Sequence, residues 1–327
     1  MTMSNVNFPL VLPDTIRPRL VFEVASEMMG SSRWPYCEPR LELRSQRDEP
    51  EVFRFYGACH PDTIREVAER KLDISMVNPE VLLKMAYRGT GPFDRPHPLA
   101  TIAVIPHYDQ LGFAVTQQSG ITSLEEIREQ RYPLRVSTRG SIDPATGRLI
   151  NVVLKAYGFS FGHIVSWGGN VSYDQPLPNS PTRIGRVGRD ELDAIFDEAI
   201  SQWGDLVTEA GMRFLPIDEQ HLAKLEAEGF KRDTIKRSLY PTLPADVPTV
   251  DFSGWPIFCH VDAPDLLITE FCAALEARKD RIQWDIGDLK QPPLPLERMC
   301  VDTKEGPLDV PLHRAAERFW RERGYLK

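Results

Sequence analysis

A chain of 327 residues, 42% of them hydrophobic, carries ample apolar surface for a packed core, with one or two domains as the expectation. A net charge of −8 and the lack of any clustered Lys/Arg run argue against a nucleic-acid binder, which needs a basic footprint. Five cysteines at 37, 59, 259, 272 and 300, an odd number without a C-x-x-C pair, argue against a full disulfide framework.

The opening stretch MTMSNVNFPLVLPDTIRPR has no basic leader region, and its apolar piece, Phe8 to Leu12, contains Pro9. The expectation is a cytoplasmic chain as written, or a periplasmic one if a leader is missing, with residues 1–16 as an extension. Residues 19–25 (RLVFEVA) read as a strand, and the alternating 51–56 (EVFRFY) as a second. A helix is expected from Pro61 to Arg70, then a short strand at 72–77 and a helix from Pro79 to Tyr87. This order predicts a parallel sheet with covering helices. Two apolar runs, 99–105 and 111–116, are parted by Pro106-His107-Tyr108-Asp109-Gln110. Ser123 and Glu126 have capping-box spacing, and a strand at 134–137 leads into STRGSIDPATGRLINVVLKAYG, residues 137–158. There Asp143 suits an N-cap and Pro144 the first helical position. Leu149, Val152, Val153 and Ala156 form an apolar stripe that Gly158 ends. Further strands are expected at 163–167, 192–196, 212–216 and 255–261. Helices are expected at 198–210, 218–228, 265–277 and 312–323, and residues 240–256 read as a Pro-rich irregular segment.

The loop from 137 to 147 lacks both the P-loop and the dinucleotide spacing. What it offers is Ser137, Thr138, Arg139, Ser141 and Thr146 before a helix N-terminus, a set suited to a carboxylate through an Arg fork and backbone N–H groups. A capped surface turn is the plainer alternative. Asp197 and Glu198 follow an apolar run, where the ligand crevice of an open sheet lies, although acids also favour a helix's first turn. Tyr56, Trp167, Phe196 and Trp255 could wall a pocket or simply fill the core. The seven His residues show no zinc spacing, so no metal and no cofactor is expected; His60 and His313 suit helix starts. No G-x-S-x-G occurs, and Cys59 with a distant His is a weak nucleophile candidate.

Several stretches together resemble one family. They are TIREVAERKLDISMVNPEVLLKMAYRG (63–89), SGITSLEEI (119–127) with the 137–158 stretch, RDELDAIFDEAI (189–200) with GMRFLPID (211–218), YPTLPADVPTVDF (240–252) and PLHRAAERFWRERG (311–324). They resemble the TAXI-type solute receptors of TRAP transporters. The resemblance covers about residues 20 to 325, and the closing motif is its most specific part. It implies an α/β, type 2 periplasmic-binding-protein-like fold: two lobes, 17–107 with 216–327 and 108–215, around a ligand cleft. It implies a small organic acid or amino acid as ligand and TRAP membrane subunits as partners. Arg139, Ser141 and Thr146, flanked by Ser137, Thr138 and Trp167, would receive a carboxylate. Tyr56, His60, Asn78 and Glu80 would contact the ligand from the first lobe, and Asp197 or Glu198 would meet its positive or hydroxyl group. The rival expectation is a cytosolic enzyme on the same fold, decarboxylase-like or thiamine-precursor-synthase-like, using Asp197, Glu198, His60 or Cys59.

Overall fold

A computed structural model of the chain describes residues 16–29, 38–44, 51–57, 60–140, 144–282 and 293–327. It begins with α1 (Ile16–Met29), β1 (Arg40–Arg44), β2 (Val52–Tyr56), α2 (Thr63–Ala68), β3 (Ile74–Met76), α3 (Glu80–Arg88) and β4 (Leu99–Ile105). A second run holds β5 (Gly112–Thr116), α4 (Leu124–Glu129), β6 (Arg135–Arg139), α5 (Pro144–Ala156), α6 (Phe161–Ser166) and β7 (Asn170–Asp174). It closes with α7 (Pro181–Gly188), β8 (Ala194–Asp197), α8 (Ile200–Glu209) and β9 (Met212–Phe214). The return contains α9 (Glu219–Glu228), β10 (Arg232–Ile235), β11 (Val247–Val250), β12 (Trp255–His260), α10 (Asp265–Arg278), α11 (Leu296–Met299) and α12 (Arg314–Glu322).

Two five-stranded sheets with covering helices form two α/β lobes, as the expected fold class requires. Their orders are β1-β2-β3-β12-β4 and β7-β6-β8-β5-β9. Neither is all-parallel. β12 runs antiparallel to β3 and β4, and β5 antiparallel to β8 and β9, so each sheet has one strand arriving from the other lobe in the reverse sense. The parallel pairs are β2–β3, β6–β7 and β6–β8. The chain leaves the first sheet between Ile105 and Gly112 and rejoins it only at Trp255. These two crossings lie side by side. Leu111 N donates to Val250 O (3.2 Å), Phe252 N to Asp109 O (2.9 Å) and Gly254 N to His107 O (2.8 Å).

Three elements differ from the sequence expectation. Residues 19–25 are helical, within α1. Leu20, Val21, Phe22 and Val24 are exposed there, and with no sheet partner an isolated apolar run satisfies its backbone groups locally. Residues 163–167 fall in α6 and its C-cap. Ser160 Oγ accepts from His163 N and fixes a helix start, and the strand comes later, at β7, after Gly168 at φ +97°. Residues 240–256 are not wholly irregular, since β11 pairs antiparallel with β10. Leu243 and Val247 from this region, with Ile235 of β10, pack with Trp203 and Phe214 of the second lobe.

The closing motif is an anchor. His313 N donates to Thr101 O, and His313 Nδ1 accepts from Ala315 N, capping α12 as a helix-start residue. Trp320, buried, donates its indole N–H to Ile102 O (2.9 Å). Cys259, Cys272 and Cys300 are buried in the same first-lobe core.

Candidate functional site

Because β6 lies between β7 and β8 and runs parallel to both, their carboxyl ends present Arg139, Asp174 and Asp197 along one edge. Such an edge is where open α/β sheets bind ligands. Arg139 donates Nε and Nη2 to Asp197 Oδ1 (3.2 and 3.1 Å) and pairs with the Glu198 carboxylate. Arg183 of α7, 1% exposed, donates to Asp197 Oδ2 (2.6 Å), Ser137 Oγ (2.9 Å) and Pro176 O (2.8 Å). Ser137 Oγ donates in turn to Asp174 Oδ2 (2.6 Å), which Arg186 also contacts at 3.0 Å. Each buried charge thus meets an opposite one, which offsets its desolvation.

Behind Glu198 sits Asp109, on the first crossing. Its carboxylate accepts from Gln110 N (2.8 Å), Ala199 N (2.6 Å) and Ile200 N (3.2 Å), so it caps α8 from the first crossing. Ala199 takes a left-handed φ of +59° to allow this. A side-chain hydrogen bond joins Asp109 to Glu198. Burial raises both acids. Asp109, lowered in part by its hydrogen bonds, is pushed up to about 6, while Glu198, beside the Asp109 charge, goes well above the usual carboxylate range.

Ser137, Arg139, Asp197 and Glu198 thus form one cluster, but bonded to each other. Thr138 and Thr146 are fully buried, and neither hydroxyl has a hydrogen-bond partner among the described residues. Ser141 and Cys59 lie outside the described residues, as does the expected Asp143 cap. Glu80 belongs elsewhere: it is buried with Lys84, Lys231 and Asp309, and burial followed by the Asp309 charge pushes it well up. Lys84 and Lys231 reach Asp309 at 3.2 and 3.0 Å, and Asp309 N donates to Glu80 Oε1 at 3.3 Å. Asn78 precedes the cis peptide to Pro79 that leads into α3. Tyr56 is buried at the end of β2 under the Arg40 guanidinium, 4.9 Å from its ring centre. His60 starts the turn into α2, its carbonyl accepting from Thr63 N and Oγ1. Trp167 packs on Phe159 at the end of α6. Sequence alone does not single out Asp109, Asp174, Arg183 or Arg148. Only the ends of the parallel strands could have pointed to Asp174, and α7, which carries Arg183, has just Ile184 and Val187 as its apolar face.

In front of Arg139 opens a hollow of about 590 Å3, lined by Arg139, Gly140, Pro144, Gly147, Arg148, Asn151, Phe161 and Tyr173. Phe161 and Tyr173 meet edge-on, centres 6.4 Å apart at 76°. Arg148 donates to Asp62 Oδ1 of α2's N-terminal turn (2.9 Å), a half-exposed pair joining the lobes. Arg148 and Asn151 also line a neighbouring hollow of about 620 Å3 that extends to Lys155, Lys224 and Glu228. Among the described residues no group of His, Cys, Asp and Glu is placed to hold a metal.

Among solved structures, PhnD1 of Prochlorococcus marinus, in complex with methylphosphonate, is 13% identical over 80% of this chain and 82% of its own, with a TM-score of 0.38. The glycine betaine/L-proline-binding protein ProX of Borrelia burgdorferi is 12% identical over 67% and 66%, with a TM-score of 0.36. The alkanesulfonate-binding protein SsuA of Xanthomonas axonopodis, bound to MOPS, is 14% identical over 49% and 48%, with a TM-score of 0.29, so this chain spans about half of SsuA's length. A family model matches residues 59–324, which take in everything from α2 to the C-terminal anchor. By that match the chain belongs to the NMT1-like family.

Proposed function

We propose that the chain is a solute-binding protein that holds a small organic acid between two lobes, in the manner the TAXI-type resemblance implies. Residues 17–107 and the chain from Trp255 onward would form one lobe and residues 108–215 with β10 and β11 the other, a later boundary than the expected 216 because Ile235 and Val247 pack with Trp203 and Phe214; TRAP membrane subunits would be the partners of an exported form. The observation that carries the reading is the hollow at the carboxyl ends of β6 and β7. It has ligand-site volume, two guanidinium groups and mainly apolar walls. A native mass spectrum of the protein purified from cells tests it. A single small acidic adduct, released intact on denaturation, is the expected result. A bare mass, with no small acid bound when acids are added back at millimolar concentration, would sink the reading.

One observation favours a second reading, an enzyme on the same fold. The buried Asp109–Glu198 pair, with raised carboxyls beside a hollow-lining arginine, is the kind of arrangement that tunes a general acid. Turnover of the bound acid by wild type, lost in Glu198→Gln, would select it. Recovery of the acid unchanged after prolonged incubation would reject it.

A further inference from the structure

We infer that the hollow selects an aromatic carboxylate, and that Arg148, rather than Arg139, receives the carboxylate group. This deepens the binding reading above and rests on it.

The two guanidiniums facing the hollow are not equivalent. Arg139 is 9% exposed and pinned by Asp197 and Glu198, so drawing it onto a ligand would strip two buried acids of their counter-charge. Arg148 pairs with Asp62, and both side chains are about half exposed (43% and 54%). A screened surface pair of this kind contributes little, so a ligand carboxylate can take the place of Asp62 on the Arg148 fork at small cost. On Arg148 one carboxylate takes the place of another, and Asp62 turns to solvent.

The rest of the wall is apolar and aromatic. Phe161 is nearly buried, whereas Tyr173, at the end of β7, is 59% exposed and stands edge-on to it. An exposed tyrosine over a hollow gains most by covering a flat ring, since offset or edge contacts add to the area removed from water. Pro144 supplies a further apolar surface, and Gly140 and Gly147 put no side chain in the way.

Isothermal titration with benzoate and phenylacetate, against cyclohexanecarboxylate, succinate and glutamate, tests the inference. The expected result is at least tenfold tighter binding of the aromatic acids. Tyr173→Ser should shrink that preference several-fold, and Arg148→Ala should weaken benzoate at least tenfold. Asp62→Asn, which removes the competing carboxylate, should tighten benzoate several-fold, a gain that a misfolded variant could not produce. Equal or tighter binding of the aliphatic acids overturns the aromatic assignment and leaves the binding reading standing. Wild-type benzoate affinity in both Arg148→Ala and Asp62→Asn overturns the role of Arg148. Failure of every acid to bind at millimolar concentration sinks the binding reading itself.

Discussion

At the scale of single residues, the crossing between the lobes holds acids that are out of their usual range. Asp251 lies beside the first crossing and accepts from Ser253 N (3.2 Å) and Ser253 Oγ (2.5 Å), while Ser253 Oγ also bonds Asp109 N (3.0 Å). Burial raises Asp251 to about 6 against the opposing Ser253 bonds, and Asp109 stands at about 6 as well. Between their ordinary 3.8 and about 6 the folded chain holds protons that the unfolded chain has released. Stability from these two groups is therefore fully present at low pH and falls as pH rises through that window. Each group accounts for at most about 1.4 kcal/mol per pH unit there. Asp251→Asn, which keeps an acceptor for Ser253, should flatten the fall in urea-unfolding free energy between pH 4 and 6 by about that slope. An unchanged slope would mean that Asp251 titrates normally.

At the scale of elements, α5 joins stability to the hollow. Gly147 occupies its interior, and a Cβ built there meets nothing within 4 Å. Gly147→Ala should raise stability by about 0.5–1 kcal/mol through helix propensity. It should also weaken ligand binding, because the methyl group stands in the hollow, and thermal unfolding beside titration separates the two effects. A variant that gains stability and binds as wild type would place the ligand elsewhere. Most of this element was legible in the sequence. Leu149 and Val153 are fully buried, and Gly158 ends the helix at φ +83°. Ser123 caps α4 as its spacing implied, although Glu126 bonds Thr122 N and Oγ1. What the sequence could not show was who would neutralise whom. Arg139 and Asp197–Glu198 stand 58 and 59 positions apart and read as opposite ends of a ligand, yet parallel pairing of β6 with β8 makes them partners. Likewise RLVFEVA has strand composition, and only the lack of a sheet partner makes it helical. Glu80 follows a strand as a site residue would, but α3 turns it toward Lys84 and Asp309.

For the whole molecule, the two sheets share a plan. In each, the strand from the other lobe lies second from one edge, antiparallel to both neighbours: β12 between β3 and β4, β5 between β8 and β9. That plan follows from two crossings, which sequence patterning cannot reveal, because reversal of one strand leaves its apolar run unchanged. The alternating strand–helix order therefore suggested a wholly parallel sheet. The C-terminal motif was readable as a family mark, and its physical content is the docking of α12: Thr101 O accepts from His313 N while Thr101 N donates to Pro311 O, and Trp320 reaches Ile102.

The paired crossings also place an optical probe at the joint. His107, on one crossing, stacks on Trp255, at the end of the other, with ring centres 4.3 Å apart and planes 27° from parallel. Any rotation of one lobe against the other must shear this stack, and imidazole quenches indole emission at contact range. The difference in fluorescence between wild type and Trp255→Phe should therefore change in intensity when ligand is added. A difference spectrum that stays constant through saturation would mean that the joint does not move and that the ligand enters a rigid hollow. In that case the lobes act as a fixed frame, and selectivity comes from the shape of one wall alone.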